Sequence, residues 1–225
     1  VDEDGNALSY AAFLEAITRV EDLPPNPSKT GHKSHDWMLW MVHRAHLNDP
    51  SLNIVDFTNA EMPLPHVEPR IAPKLMKALA GNNSIKSLLL ANSNMRKPQG
   101  AMMAEALKQN KALEVLNIES NYLDSNRIHA MAQALLDNAE SELQTWRFDA
   151  QKGCLHFGRP VEEILAQLVQ RNTKITKLGF QCKDPHWLNV INRAITSNND
   201  RARRARKARA DAGNGGGGRD AHPPE

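Results

Sequence analysis

One cysteine in this sequence stands close to a possible activating base. Cys154 and His156 are separated by a single residue, and a thiol beside an imidazole is the pair that nucleophilic catalysis uses. Neighbours in sequence form such a pair only when the fold places the imidazole against the sulfur, and most do not. The second cysteine, Cys182, follows a predicted strand. We therefore do not expect a cysteine nucleophile in this chain.

Histidines occur early in the chain as two pairs at a spacing of three residues, which can suit metal binding. The pairs are His32 with His35 and His43 with His46. No cysteine lies near them and a tryptophan-containing stretch separates them, so we expect surface and cap histidines and no metal. The acidic run 2–6 resembles the start of an EF-hand calcium loop, but Ala12 stands where the bidentate glutamate is needed.

Sequence signatures of common enzyme classes are missing. The chain has no G-x-x-x-x-G-K-[ST], H-E-x-x-H or G-x-S-x-G motif. The glycine run 215–218 is not followed by a lysine and lies in a low-complexity tail, so it does not form a phosphate-binding loop. We expect no enzymatic activity and no cofactor.

Positive charge is concentrated in one segment. Residues 201–209 hold six arginines and lysines and no acidic residue, although the formal net charge of the whole chain is only +2. Alanines at 202, 205 and 208 make this segment strongly helix-prone. A basic helix favours an acidic partner. Nucleic acid or nuclear-import binding is less favoured, because no aromatic residues interleave the arginines for base stacking and the rest of the chain is slightly acidic.

Composition places the chain among globular proteins. Of its 225 residues, 40% are hydrophobic and 24% are charged, and no apolar run is long enough to span a bilayer. The acidic start does not resemble a secretory signal, and two cysteines are too few for a disulfide framework. We therefore expect a cytoplasmic protein that does not bind membranes.

A repeated pattern of apolar residues indicates the secondary-structure elements that position the residues discussed above. It consists of an apolar residue, two spacers, an apolar residue, one spacer and an apolar residue, followed by a helix-like run. The five instances are Leu52/Val55/Phe57, Ile85/Leu88/Leu90, Leu113/Leu116/Ile118, Leu143/Trp146/Phe148 and Ile175/Leu178/Phe180. Their starts lie 33, 28, 30 and 32 residues apart. This pattern predicts an α/β leucine-rich-repeat solenoid of about five strand–helix units, with parallel strands on one face, helices on the other and helical caps.

Amphipathic periodicity predicts the helices. We place them at 10–20, 35–47, 68–80, 99–109, 126–136, 161–170 and 187–195. An asparagine follows each of the four repeat helices, and we expect it to end the helix in the left-handed conformation. These asparagines are Asn82, Asn110, Asn138 and Asn172. Three regions follow: a cap and linker at 1–46, the repeat domain at 47–200, and a basic helix with a disordered glycine-rich tail at 201–225.

The third unit fits the full consensus L-x-x-L-x-L-x-x-N-x-L, from Leu113 to Leu123. At the position of its asparagine, Asn121, the other units carry four different residues. These are Ala60, Ser93, Gln151 and Lys183. The repeats have therefore diverged. Trp146, which replaces a leucine, is interpreted as core packing.

Four segments resemble one family, the tropomodulins and leiomodins. They are L-K-Q-N-K-A-L-E-V-L-N-I-E-S-N at 107–121, F-D-A-Q at 148–151, N-T-K-I-T-K-L-G-F-Q at 172–181 and N-R-A-I-T-S-N-N-D at 192–200, which precedes the arginine run. They occur in the family's order and spacing, and the resemblance extends over 47–207. It implies a cytoskeletal protein that binds actin and caps the slow-growing pointed end of the filament, nucleates filaments or binds monomers.

The resemblance also implies a set of contact residues at the end of the chain. In the last unit they are Lys177, Phe180, Gln181 and Lys183, and in the basic segment Arg201, Arg203, Arg204, Arg206 and Lys207. Two arginines that the family carries after its Y-Q motif are replaced here by His186 and Leu188. Nothing in 1–46 resembles the family's tropomyosin-binding helices, so tropomyosin is not an expected partner. The alternative is a leucine-rich-repeat scaffold with a partner other than actin.

Overall fold

Strands and helices alternate through most of the chain. The computed structural model describes residues 9–27 and 34–214. Two helices come first, α1 (Tyr10–Glu15) and α2 (Ser34–His46), with a 3₁₀ turn at Val20–Asp22 between them. The elements that follow are β1 (Ile54–Asp56), α3 (Ala72–Gly81), β2 (Ser87–Leu89), α4 (Lys97–Leu107), β3 (Val115–Asn117), α5 (Ser125–Asp137), β4 (Thr145–Arg147), α6 (Arg159–Arg171), β5 (Lys177–Gly179) and α7 (Pro185–Asn214).

The five short strands form one parallel sheet in the order β1-β2-β3-β4-β5. Their middle residues are in register, so that Val55, Leu88, Leu116, Trp146 and Leu178 form one row. Side chains alternate along a strand, and this row therefore points inward against the helices. The first four members are fully buried, which confirms the leucine-rich-repeat prediction and the core role of Trp146.

The asparagines after the helices act differently from the expectation. Asn82, Asn138 and Asn172 have φ of −75°, −93° and −88°, so the left-handed prediction is wrong for them. The side-chain amides of Asn82, Asn110 and Asn138 instead connect one unit to the unit before it. The Asn110 Nδ2 donates to the carbonyl oxygens of Leu79 and Asn82, at 2.6 and 3.2 Å. Asn138 repeats this arrangement one unit later, with the carbonyl oxygens of Leu107 and Asn110.

Left-handed residues occur after the strands. Asn59, Asn92, Ser120 and Ala150 have φ between 51° and 58°, and each stands three residues beyond the end of a strand. The next residue, at the consensus asparagine position, carries a buried amide in two units. The Asn121 Oδ1 accepts from the backbone N–H groups of Ser93 and Met95, and Gln151 accepts from that of Leu123. In these two units the amide side chain thus pairs backbone groups that the inward turn would otherwise leave without a partner.

Two predicted helices are shorter than expected. The helix predicted at 10–20 ends at Glu15, because the Ile17 carbonyl turns toward the buried His43 imidazole, with its oxygen 2.9 Å from Nε2. The helix predicted to start at 68 begins at Ala72. The Glu68 carboxylate accepts from the backbone N–H and the guanidinium of Arg70, which fixes a turn in place of the first helical residues.

Helices α1 and α2 cover the first end of the core, as predicted for a cap. Trp37 packs edge-on against Phe57 with ring centroids 5.2 Å apart, and the Trp40 Nε1 donates to the Pro24 carbonyl oxygen at 3.0 Å. The predicted EF-hand-like run and His32 lie outside the described residues, as does the glycine-rich tail from 215 onward. No helix within 9–27 and 34–214 is both long and apolar enough to cross a membrane.

We expect Leu116→Ala to lower the free energy of unfolding by about 2–5 kcal/mol, because Leu116 is 0% exposed and its truncation leaves a cavity at the centre of the sheet. The matched control is Leu155→Ala, the same change at a side chain that is 90% exposed, which should cost less than about 0.5 kcal/mol. Urea unfolding measures both. Equal stability of the two variants would contradict the repeat register.

Adjacent asparagines allow a second test. Asn82 is 2% exposed, donates to the Ala45 carbonyl oxygen and accepts from the backbone N–H groups of Ser84 and Ile85. Asn82→Ala leaves these groups unpaired in the interior, so we expect a loss of at least about 2 kcal/mol in the free energy of unfolding. Asn83 is exposed, and Asn83→Ala should change stability by less than about 0.5 kcal/mol. We call the series of buried asparagine amides that connects successive units the amide ladder. Similar losses of stability in the two variants, measured by thermal unfolding, would refute it.

Candidate functional site

Strand β5 forms the closing edge of the sheet. It pairs with β4 on one side, and among the described residues no strand pairs with its outer side. Bonds to the two sides alternate along a strand, and the Lys177 N–H and the Gly179 carbonyl face β4. Polar backbone groups on the outer side of β5 therefore face away from the solenoid. The predicted contact residue Lys177 lies here, with an exposed side chain.

Helix α7 replaces a sixth repeat at one end of this edge. In each repeat the carbonyl before the strand accepts from the next unit, as the Gln144 carbonyl does from the Thr176 and Lys177 N–H groups. The Thr176 carbonyl oxygen stands at the same position before β5, and it accepts from the Asn199 Nδ2 of α7 at 3.0 Å. The neighbouring Asn198 continues the amide ladder, since its Nδ2 donates to the Val169 carbonyl oxygen at 3.0 Å.

The basic segment is the free continuation of α7. The helix predicted at 187–195 and the arginine run that follows it form a single helix of 30 residues, about 45 Å long. Ile191 and Asn198 are buried against the solenoid, whereas the arginines and lysine beyond Asp200 are exposed. The segment 201–209 therefore projects past the sheet with its orientation fixed by the anchored half of the helix.

The turn after β5 carries the other predicted contact residues. Phe180 is half-buried and stacks on Phe148, with ring centroids 5.2 Å apart and planes 17° apart. Gln181 and Lys183 have exposed side chains. The carboxylate of Glu162, buried at the start of α6, accepts from the backbone N–H groups of Lys183 and Asp184 at 2.6 and 3.2 Å. Glu162 thus fixes the turn, a role that sequence reasoning missed.

The predicted contact residues form two separate groups. Helix α7 starts beside Lys183 and reaches the opposite end of β5 at Asn199, about 21 Å further on if its rise is 1.5 Å per residue. Phe180, Gln181 and Lys183 therefore lie at the carboxyl end of the sheet edge. The arginines lie at its amino end and beyond, and Lys177 lies between the two groups.

Residues 201–209 have two opposed faces. A groove of about 540 Å³ separates one face from the loops that precede β4 and β5. On the helix side it is lined by Arg201, Ala202, Ala205, Arg206 and Arg209, and on the loop side by Glu142, Gln144, Thr173, Lys174 and Thr176. Arg203, Arg204 and Lys207 lie on the other face, and the Arg203 guanidinium is 2.6 Å from the Asp200 carboxylate.

Arg209 was not among the predicted contact residues, although the structure groups it with Arg201 and Arg206. The sequence spacing could have identified Arg209, because a residue eight positions after Arg201 and three after Arg206 lies on the same side of a helix as both. Lys174 was also missed. It lies in the loop before β5 and is 2.8 Å from the Glu142 carboxylate, a pairing between loops of successive units that the sequence does not reveal.

The cysteine–histidine pair is not assembled as a nucleophile and base. The Cys154 Sγ lies 3.5 Å from the backbone carbonyl oxygen of His156 and 3.5 Å from the Ser125 Oγ. Within 9–27 and 34–214, no cluster of three or more His, Cys, Asp and Glu side chains could hold a metal. The His43 and His46 rings lie with centroids 5.8 Å apart and planes tilted by 41°, and burial lowers the pKa of both.

Comparison with known proteins places these features in a family context. A family model described as the TMOD/LMOD leucine-rich domain matches residues 38–201. Mouse tropomodulin-4 is 28% identical over 189 residues, which cover 84% of this chain and 50% of the relative. Human leiomodin-3 is 27% identical over 162 residues, 72% of this chain and 28% of the relative. The chain thus spans half or less of the length of these relatives.

Two solved structures share the fold. The structure described as leiomodin-1 actin-binding site 2 superposes with a TM-score of 0.67 at 24% identity, covering 82% of this chain and 99% of that one. The tropomodulin C-terminal domain of Caenorhabditis elegans gives a TM-score of 0.68 at 20% identity, covering 75% of this chain and 96% of that one. Both likenesses concern the arrangement of strands and helices.

The turn after β5 can be tested through its thiol. Burial, together with the nearby Glu162 carboxylate, raises the pKa of Cys182 to about 11. In a Cys154→Ser background we therefore expect iodoacetamide at pH 8 to alkylate Cys182 at least about tenfold more slowly than it alkylates glutathione, with the rate rising up to about pH 11. Alkylation in urea is the control, since unfolding removes the difference. A rate that levels off below pH 9 would show that the thiol does not lie beside Glu162.

Proposed function

Since this chain belongs to the tropomodulin and leiomodin leucine-rich domain family, we propose that it binds actin through the closing end of its solenoid. Leiomodin-1, one of its structural neighbours, has this fold in a segment described as an actin-binding site. The contact residues that we propose are Lys177, Phe180, Gln181, Lys183, Arg201, Arg203, Arg204, Arg206 and Lys207, to which Arg209 is added. Helix α7 connects the two groups that they form.

One observation supports this assignment above the others: the basic half of α7 projects from a closed repeat domain. The six basic side chains of 201–209 are exposed, and in the described part of the chain only Arg203 forms an ion pair, with Asp200. Clustered, unneutralised positive charge accelerates association with an acidic surface and adds affinity there. A helix that only capped the core would need no such extension.

The proposed actin-binding surface includes both the turn after β5 and the basic segment of α7. The anchored stretch of α7 from Pro185 to Asn199 rises about 21 Å and separates the turn after β5 from the basic segment, so the proposed contact surface is extended. We propose that the domain caps the pointed end, with nucleation as the alternative outcome. Tropomyosin is not part of the proposal. A location in the cytoplasm, on the actin cytoskeleton, follows if actin is the partner.

Co-sedimentation with actin filaments and elongation from pointed ends of seeds blocked at their barbed ends test the proposal. We expect micromolar binding at low salt and slower pointed-end growth. Replacing all six basic residues of 201–209 by alanine should weaken binding at least tenfold and keep the helix, because alanine is the best helix former. Circular dichroism checks the fold. A shorter lag in spontaneous polymerisation would indicate nucleation in place of capping.

The matched control removes the same formal charge from elsewhere on the solenoid. It replaces with alanine the six residues Lys77, Lys86, Lys97, Lys108, Lys111 and Arg127. Surface ion pairs contribute little to stability, so this variant should fold and bind actin within about twofold of the unaltered chain. Absence of actin binding by the unaltered chain would refute the proposal. Equal losses in both variants would assign the effect to net charge and exclude a defined surface.

A further inference from the structure

We propose that the groove between α7 and the loops preceding β4 and β5 is a binding cleft for an acidic peptide segment in extended conformation. The cleft is defined by Arg201, Arg206 and Arg209, with Ala202 and Ala205 between them. The cleft is part of the proposed actin-binding surface, so this inference rests on the proposed function. A free peptide can nevertheless probe it, so the two ideas can fail separately.

The cleft continues the face of α7 that packs on the repeats. Ile191 and Asn198 are buried against the solenoid, and Arg201 follows Asn198 by three residues on the same side of the helix. Past Asn199 the helix leaves the last unit behind, and its inward face then borders a space of about 540 Å³. A surface that is covered along the first half of the helix is thus open along the second half.

The charges of the cleft do not cancel. Its only carboxylate among the described lining residues, that of Glu142, is 2.8 Å from the Lys174 Nζ. Arg201 and Arg209 form no ion pair with described residues, and Arg206 donates only from its Nε, at 3.3 Å, to the Ala202 carbonyl oxygen. Three guanidinium groups therefore remain available for bidentate bonds to carboxylates.

The shape fits an extended backbone. Ala202 and Ala205 have short side chains, which allow another chain to approach the helix closely between the arginines. Arg201 and Arg206 are separated by a rise of about 7.5 Å along the helix axis. The rise from Arg206 to Arg209 is about 4.5 Å. Carboxylates on alternate residues of a strand are about 6.6 Å apart on one face, between these two values, so the long arginine side chains can reach successive acidic residues. Thr173, Thr176 and Gln144 line the opposite wall with polar groups.

Acidic peptide is favoured over nucleic acid at this place. The lining residues include no aromatic side chain on which a base could stack. The three arginines span a rise of about 12 Å, which is short compared with the phosphate tracks of single-stranded binding proteins. The acidic surplus of residues 1–200 would also repel a longer polyanion that extends beyond the helix.

The decisive experiment compares two triple variants with the same loss of charge. The cleft variant is R201A/R206A/R209A, and its control, on the opposite face of the same helix, is R203A/R204A/K207A. The probe is a fluorescein-labelled eight-residue peptide with alternating Glu and Ala, titrated with the full chain at low salt and followed by fluorescence anisotropy. We expect saturable binding whose Kd rises at least tenfold in the cleft variant and less than threefold in the control.

Several results would overturn the inference. Equal weakening by the two triple variants would mean that the peptide senses only net charge. Tighter binding of an eight-nucleotide single-stranded DNA than of the peptide would make the surface a nucleic-acid site. Loss of helix in the cleft variant by circular dichroism would call for R201Q/R206Q/R209Q, and unchanged peptide binding in that variant would also refute the cleft. Peptide binding without any actin binding would leave the cleft standing and remove the proposed function.

Discussion

The fold depends on satisfying buried backbone groups at each turn of the chain. Every unit must bring its backbone inward twice, once after the strand and once after the helix, and the carbonyl and amide groups at those corners are shielded from water. Buried amides, such as Asn110 and Asn138 after helices and Asn121 and Gln151 after strands, supply the missing partners. An unpaired buried group costs about 1–3 kcal/mol, so five stacked units would not be stable without these side chains.

The same requirement explains how the solenoid ends. A sixth unit would have supplied donors to the carbonyl groups of the fifth, and Asn198 and Asn199 of α7 supply them instead. The last helix therefore closes the core and supports the basic segment. The anchored half of α7 and its exposed basic half are consecutive in sequence, and the transition from one to the other occurs between Asn199 and Arg201.

Much of this could be read from the sequence because it follows from periodicity. The apolar skeleton predicted the strands, their parallel register and the inward row through Leu116, and the amphipathic stripes predicted the repeat helices to within a few residues. Conformation at the corners could not be predicted in the same way. The recurring asparagines were recognised but given the wrong backbone conformation, because their partners lie one unit away, as Leu79 does for Asn110. The roles of Glu162 and Lys174 were missed for the same reason.

Because α7 is one continuous helix, the number of residues in it sets both the distance and the direction of the basic side chains relative to the anchored half. Each residue of an α-helix advances about 1.5 Å and turns about 100° around the axis. Two residues inserted after Asp200 would thus rotate every following side chain by about 200°, directing the groove-facing guanidinium groups to the opposite side while the six basic residues and their total charge stayed the same. For the proposed cleft, the spacing between the asparagine anchors and the arginines therefore matters as much as the residues themselves, and insertions close to whole turns are the ones that would keep the arginines facing the groove.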